Sequence, residues 1–430
     1  MTPNRRTLSV GALTRVEGEG ALHITLDDHG VKDVALNIYE PPRFFEAFLR
    51  GRAFTELPDL TARICGICPV AYQVSACNAV ESAAGVTIDP QLVDLRRLIF
   101  CGEWIHSHTL HIYFLHAPDF LGHPDIVSMA REHRLAVERG LALKRAGNTV
   151  MALVGGRAVH PVNLRIGGFY AVPDRSDVRL LTEELKRALD DAVATVRWVS
   201  QFDFPDMEVD HEFLALRAPD GYAIESGVIA RSHGTPLTAE TFTDHVVESQ
   251  VPHSTALHAT LDGGRYLTGP LARYSLNSIS LSPTARAVAA EAGLSATCRN
   301  PFRSIVVRAV EVVYAVEEAL RLVAAYEAPA AAYHEVPAPS KTCHGVSEAP
   351  RGLLYHRYEI APDGLVRAAR IIPPTSQNQA AIEHDLRSLV DGNTRLDDQA
   401  ITALCERAVR NHDPCISCAT HFLTVKVDRW

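Results

Sequence analysis

Leu22, Ile24 and Leu26, then Val34, Leu36 and Ile38, take every second position on either side of Asp27-Asp28-His29-Gly30. A period of two around a polar, glycine-ended turn predicts a β-hairpin. Residues 353–360 and 365–372 repeat the pattern around Ala361-Pro362-Asp363-Gly364, which predicts a second one. Elsewhere the period lengthens. Phe45, Phe48 and Leu49 give residues 42–52 helical spacing, and Leu92, Leu95, Ile99 and Ile105 begin a long helix that continues to about His116. Leu181, Leu185, Leu189, Val193 and Val196 form the apolar stripe of another, with Asp174 or Ser176 as its cap and Glu183 and Glu184 in its early turns. Ile305, Ala309, Val313, Val316, Leu320 and Val323 share one face of a helix over residues 302–326. Residues 379–390 and 398–410 read as two further helices.

Between these elements the pattern is less regular. Gly155-Gly156 and Gly167-Gly168 mark tight turns or close backbone approach. Residues 202–274 are mixed, and short strands and loops are expected there. The proline- and alanine-rich run to Ser340 reads as a rigid connector rather than a domain linker, because motif-like sequence resumes at once. The expectation is one large α+β domain over residues 1–430, mainly helical, with an N-terminal hairpin and long core helices.

A 430-residue chain that is 47% hydrophobic can bury a large core. Its net charge of -9 argues against nucleic acid or an anionic membrane as partner. No stretch has the length and apolarity of a membrane span, and Met1-Thr2-Pro3-Asn4-Arg5-Arg6 has no apolar run behind its charges. The nine cysteines form an odd set, four of them in two short pairs, which suits metal ligation better than a disulfide framework. A reducing, cytoplasmic location is therefore expected. The G-x-G-x-x-G dinucleotide fingerprint is absent.

The candidate chemistry lies at the two ends of the chain. Cys65 and Cys68 sit in Arg63-Ile64-Cys65-Gly66-Ile67-Cys68, and Cys415 and Cys418 in Asp413-Pro414-Cys415-Ile416-Ser417-Cys418-Ala419-Thr420-His421. Paired thiols with a nearby imidazole are what soft and borderline metals select. A structural zinc clamp is the bland reading, but zinc pairs usually lie a few tens of residues apart in a small domain. Arg63, Asp413 and His421 also crowd these cysteines with charge and hydrogen-bonding groups. Spacing alone leaves an iron–sulfur cluster open.

R-x-C-G-x-C near the start, D-P-C-x-x-C-x-x-H near the end and Glu348-Ala349-Pro350-Arg351-Gly352 between them together resemble the large subunit of a [NiFe] hydrogenase. Arg15-Val16-Glu17-Gly18, the run from Phe45 to Arg52, His160-Pro161 and Pro374-Thr375-Ser376-Gln377-Asn378 extend the likeness, which covers residues 15–421. The compact length resembles the NAD(P)-linked and sulfhydrogenase-type members. The resemblance implies heterolytic, reversible cleavage of H2 to protons and electrons at a nickel–iron centre. Its iron would carry carbon monoxide and cyanide ligands supplied by maturation proteins.

By that resemblance, Cys65 and Cys415 would be terminal nickel ligands, while Cys68 and Cys418 would bridge nickel and iron. Cys415 would take the proton and Glu17 would pass it on. Arg351 would polarise the site, Thr375 would hydrogen-bond a cyanide, and Asp413 would orient Arg351 or the cysteine turn. Glu46, His421 and the carbonyl of Ile371 would hold a magnesium-type ion. Electrons would leave through an iron–sulfur small subunit towards a flavin-bearing NAD(P) reductase subunit, since no further cluster motif stands in this chain. Residues 422–430 fit an extension that a maturation protease removes after His421.

Tyr72 and Ser107 depart from the usual family pattern, which has histidine and aspartate there. His106, His108, His111 and His116 are read as core or interface residues, and Cys77, Cys101, Cys298, Cys343 and Cys405 as buried small hydrophobes. A hydrogen sensor would keep the same site with little turnover. A zinc-clamped scaffold would hold no nickel, and a scaffold of the respiratory complex I kind would lack the four cysteines.

Overall fold

The computed structural model describes residues 6–27 and 30–421. The tip of the first hairpin at residues 28–29, the N-terminal residues 1–5 and the proposed extension 422–430 lie outside the described residues, as do the readings made of them. About 49% of the structure is helix and 20% strand, an α+β arrangement dominated by helices. Among the described residues no helix is long and apolar enough to cross a membrane.

Five helices build the main core: Pro69–Ala84, Pro90–Thr109, Arg134–Gly155, Arg175–Val199 and Ser304–Ala325. The second and third approach to backbone contact. A Cβ on Gly147 would stand 2.6 Å from the Gly102 carbonyl oxygen and 2.7 Å from the His106 amide nitrogen, so only glycine fits. The one-sided stripe expected for the helix at 302–326 is a minimum. Every residue from Ser304 to Val316 is buried, because helices pack around that half, among them Pro90–Thr109, Arg175–Val199 and Pro270–Asn277.

The helix predicted from Leu92 changes pitch on the way. Pro90–Thr109 is α-helical, Leu110–His116 winds as a π-helix, and Ala117–Leu121 continues it. The wider turn lets His111 Nε2 meet the Arg410 carbonyl at 2.7 Å and His116 Nε2 meet Asn411 Oδ1 at 2.9 Å. Asp174 holds the N-cap position of Arg175–Val199, but neither it nor Ser176 makes a side-chain cap bond.

Both hairpins form, and each gains a third strand. Arg6–Val10 pairs with Gly20–Asp27, which pairs with Gly30–Ile38. Thr342–Ala349 pairs with Gly352–Ile360, which pairs with Val366–Ile372. Residues 202–274 carry the expected short strands, Glu212–Arg217, Val228–Arg231, Val246–Gln250, Leu257–Leu261 and Tyr266–Leu267. A second core joins the N-terminal sheet to the helices Pro374–Asp391 and Asp398–Asn411. The first of these starts five residues earlier than the pattern suggested, because Pro374 lies in its first turn, where a missing amide costs nothing.

Candidate active site

The two cysteine pairs, 350 residues apart in sequence, meet inside this frame. Cys65 Sγ lies 3.5 Å from Cys415 Sγ, and Cys68 Sγ lies 3.7 Å from Cys418 Sγ. All four are buried, none is in a disulfide, and their sulfurs stand within 4.8 Å of one another. Local geometry explains each half. Cys65 ends the short turn Ala62–Ile64, and its sulfur accepts the amides of Ile67 at 3.3 Å and Cys68 at 3.4 Å. Cys68 sits just before the helix Pro69–Ala84, whose proline at the first position starts it there. Cys415 precedes the single turn Ile416–Ala419.

Two devices close the halves on each other. Glu17 pairs with Cys415 as a parallel bridge, its carbonyl accepting the Ile416 amide at 3.0 Å. Arg43 donates to the Ile64 carbonyl at 2.7 Å and also to the Ser417 carbonyl, so one guanidinium stitches both cysteine loops. Sequence reading passed over Arg43, because nothing but its place ahead of a predicted helix marks it.

The charged neighbours are arranged about the sulfurs. Glu17 Oε2 accepts the Ser417 amide at 3.0 Å. Burial and the Cys65 sulfur raise the carboxyl's pKa above its ordinary range, against the pull of Ser417 and Arg351. Arg351 forms, with Pro350, the two-residue turn between Ala349 and Gly352. Its Nε donates to the Asp413 carbonyl at 2.8 Å, and an NH2 group to Asp413 Oδ1 at 3.1 Å. Burial works against its charge, but Asp413 and then Cys415, Cys68 and Cys65 outweigh burial and hold it protonated. Thr375 Oγ1 accepts the Cys415 amide at 2.9 Å, which leaves its own proton free to donate.

This centre fits a soft, redox-active cation. The Cys65 pKa falls because Cys415, Cys418 and Cys68 hydrogen-bond its sulfur, while burial holds Cys415 up. A metal is what removes the remaining protons. The other NH nitrogen of Arg351 and the Tyr72 hydroxyl are also buried without a hydrogen-bond partner. Burial and the sulfurs of Cys418, Cys68 and Cys415 push the Tyr72 hydroxyl well above its usual pKa. Ser107 is fully buried, and its Oγ is likewise unpartnered.

Three supporting residues were missed in the sequence. Glu103 is fully buried and accepts the amides of Val70 at 2.6 Å and Ala71 at 3.2 Å, capping the helix that follows Cys68. Arg273 donates to Glu311 at 2.8 Å, to Glu348 at 3.0 Å, and to the carbonyls of Ala349 and Pro350 at 2.8 Å each, so it underpins the Arg351 turn. Glu311 completes that network and lies 3.0 Å from His108 Nε2. Glu103 and Glu311 sit on apolar-rich helices, where a lone acid signals nothing until the fold supplies its partner.

Glu46, Ile371 and His421 converge at a separate place. Glu46 Oε1 accepts the Ile371 amide at 2.7 Å and lies 3.9 Å from His421 Nδ1. Burial lifts the Glu46 carboxyl to about 7 and lowers the His421 imidazole to about 3. Both ring nitrogens of His421 are buried and have no hydrogen-bond partner among the described residues. A carboxylate and a neutral imidazole at that separation can share one cation.

The remaining histidines are accounted for differently. His106, His108, His111 and His116 are all buried, and they line no common metal position among the described residues. Cys77, Cys101, Cys298, Cys343 and Cys405 are buried and unpaired.

Comparison with known proteins agrees with the geometry. The family model described as nickel-dependent hydrogenase matches residues 43–139 and 268–421. The alpha subunit of sulfhydrogenase 1 from Pyrococcus furiosus is 33% identical over 420 residues, covering 96% of this chain and 97% of that one. The matching subunit of the vhu F420-non-reducing hydrogenase from Methanocaldococcus jannaschii is 30% identical, covering 86% of this chain and 95% of that one. Among solved structures, an NAD+-reducing [NiFe]-hydrogenase in the H2-reduced state aligns with a TM-score of 0.88 at 26% identity, over 97% of this chain and 99% of that one. The Ni-Fe-Se hydrogenase of Desulfomicrobium baculatum shares the fold at a TM-score of 0.77 and 20% identity, over 97% and 100%. The chain belongs to the nickel-dependent hydrogenase family as a large, catalytic subunit, an oxidoreductase acting on H2.

Proposed function

We propose that Cys65, Cys68, Cys415 and Cys418 would hold a nickel–iron group and that the subunit splits H2 reversibly. The observation that carries this reading is the convergence of four free, buried thiols beside a carboxyl whose pKa is raised. When bound, the group supplies heterolytic cleavage of H2, with carbon monoxide and cyanide on the iron. The residues of the chain manage the proton and the electrostatics. Cys415 Sγ accepts the proton and Glu17, anchored to the same loop through Ser417, relays it outwards. Arg351 places a fixed positive charge over the centre, and Asp413 keeps it aimed. Thr375, which holds the Cys415 amide, would have its own proton free for a cyanide on the bound group. Glu46, the Ile371 carbonyl and His421 would hold a magnesium-type ion that fastens the segment of His421 to the sheet.

Electrons pass to an iron–sulfur small subunit, then through a flavin-bearing reductase subunit to NAD(P). The similarity to an NAD+-reducing enzyme supports that acceptor. Maturation chaperones load the metals, and a protease then cuts after His421 in the cytoplasm. Metal analysis of the complex purified from its native host tests the reading. The expected result is about one nickel per large subunit with H2-dependent reduction of NAD+ or NADP+. Zinc in place of nickel would sink it.

A further inference from the structure

His253, His258 and Glu383 gather beside the helix Pro374–Asp391, about two turns along it from Thr375, and the hydrogen chemistry does not use them. His253 lies in the loop that joins the paired strands Val246–Gln250 and Leu257–Leu261, and His258 lies on the second strand. Glu383 projects from the helix. His253 Nε2 is 2.8 Å from Glu383 Oε1, and His258 Nδ1 is 4.0 Å from Glu383 Oε2. The two imidazole rings meet edge to face with centroids 5.5 Å apart. One donor atom from each residue falls within 4.8 Å of the other two.

Two further observations point to a guest. His258 is 7% exposed, its Nδ1 faces Glu383 Oε2 from beyond hydrogen-bond reach, and the ring's other nitrogen, Nε2, is buried with no partner among the described residues. An imidazole that is buried and unsatisfied is costly unless something binds it. Glu383 is meanwhile held in place, because its Oε1 takes both the Leu36 amide at 2.9 Å and His253 Nε2 at 2.8 Å, which leaves Oε2 turned to His258. That is how outer partners orient a metal-binding carboxylate. The cluster of His123, Glu132 and His133 lacks this framing, since the Glu132 side chain is 73% exposed.

We propose that His253, His258 and Glu383 form a second metal site, which binds one borderline divalent cation of the zinc class. Two imidazoles and one carboxylate are a familiar zinc donor set, with a fourth position for water. Donors at tetrahedral zinc stand roughly 3.3–3.5 Å apart. The 2.8 Å separation is the hydrogen bond between His253 Nε2 and Oε1, and the 4.0 Å one runs to Oε2, so the cation replaces that bond's proton while the carboxylate turns to present itself to both rings. The His253 side chain, 33% exposed, gives the cation its way in. Once bound, the cation ties the hairpin of residues 246–261 to the helix that carries Thr375, and so stiffens the wall behind the cysteines.

The test uses the whole purified complex, dialysed against EDTA, given one equivalent of zinc and desalted. Metal content and zinc-edge X-ray absorption are then read for the wild type, His258→Ala, Glu383→Gln and His253→Asn. The expected result is one retained zinc with only nitrogen and oxygen neighbours in the wild type. Each variant should lower retention more than about tenfold, with nickel unchanged. His253→Asn alters a partly exposed loop residue, so it keeps the test valid if His258→Ala misfolds. No retained zinc in the wild type, sulfur neighbours around it, or full retention in His253→Asn would overturn the proposal.

Discussion

Arg15 and Glu17 stand two residues apart, and each reaches a different buried partner. Arg15 donates to the Leu115 carbonyl at 2.8 Å and pairs with Asp119, which also takes Arg410 at 2.9 Å and His116 at 3.4 Å. Burial alone would raise the Asp119 carboxyl, but His116, Arg410 and Arg15 outweigh it and hold it at about 2. Glu17 has no such cations in contact. Its neighbours are a backbone amide and sulfur, and its carboxyl moves the other way, upwards. A carboxylate whose charge is fully matched serves as a fastener and keeps its proton away across the physiological range. One buried beside thiols can accept and release a proton, which is what a relay requires.

Variants can separate these two roles. Cys415→Ser should produce the largest effect, loss of nickel and of all H2-dependent turnover in the purified complex, read by metal analysis and activity. Retained nickel at the wild-type level would contradict the assignment of Cys415 as a ligand. Glu17→Gln should keep the metals and the thermal midpoint but lower turnover by roughly 10²–10⁴-fold, the usual worth of a positioned acid–base group. A wild-type rate in that variant would end the relay proposal.

Asp119→Asn should do the reverse. It strips half-buried Arg15 of its carboxylate and leaves buried Arg410 with only Glu406, at 3.2 Å, so a loss of about 3 kcal/mol in unfolding free energy is expected, while turnover of the surviving folded enzyme stays near wild type. The smallest effect is in acid. A carboxyl held below its unfolded value contributes stability that is complete above the unfolded pKa and disappears as pH falls through the folded one. For Asp119 that window runs from just under 4 down to about 2, and the shift corresponds to about 2 kcal/mol. Acid unfolding of the wild type should therefore steepen across that window, and Asp119→Asn should flatten it. Equal slopes in the two proteins would remove Asp119 from the acid response.

How much could be read beforehand depended on contrast along the chain. Strands with one wet face, such as Gly20–Asp27, announce themselves by alternation. The helix Pro69–Ala84 does not, because its residues from Pro69 to Cys77 are all buried and no polar face sets off an apolar one. The edge strand Arg6–Val10 and the strand Thr342–Ala349 were invisible for another reason. Their partners are other strands, and Thr342–Ala349 also presses on the helix so closely that a Cβ on Gly345 would lie 2.2 Å from the Ser75 carbonyl oxygen. At the candidate site the cysteines, Glu17, Arg351 and Asp413 were legible through short motifs. Arg43, Glu103 and Arg273 were not, since their significance comes from partners 21 to 374 residues away.

The bridge between Glu17 and Cys415 also sets an order of events. One half of the donor set precedes the other by 350 residues, so a ribosome makes the first long before the second. A nascent chain therefore carries Cys65 and Cys68 through the synthesis of 350 residues before their partners appear. No product that stops before Cys418 can assemble the four-sulfur centre, so the complete donor set exists only in a chain that has been made past that residue.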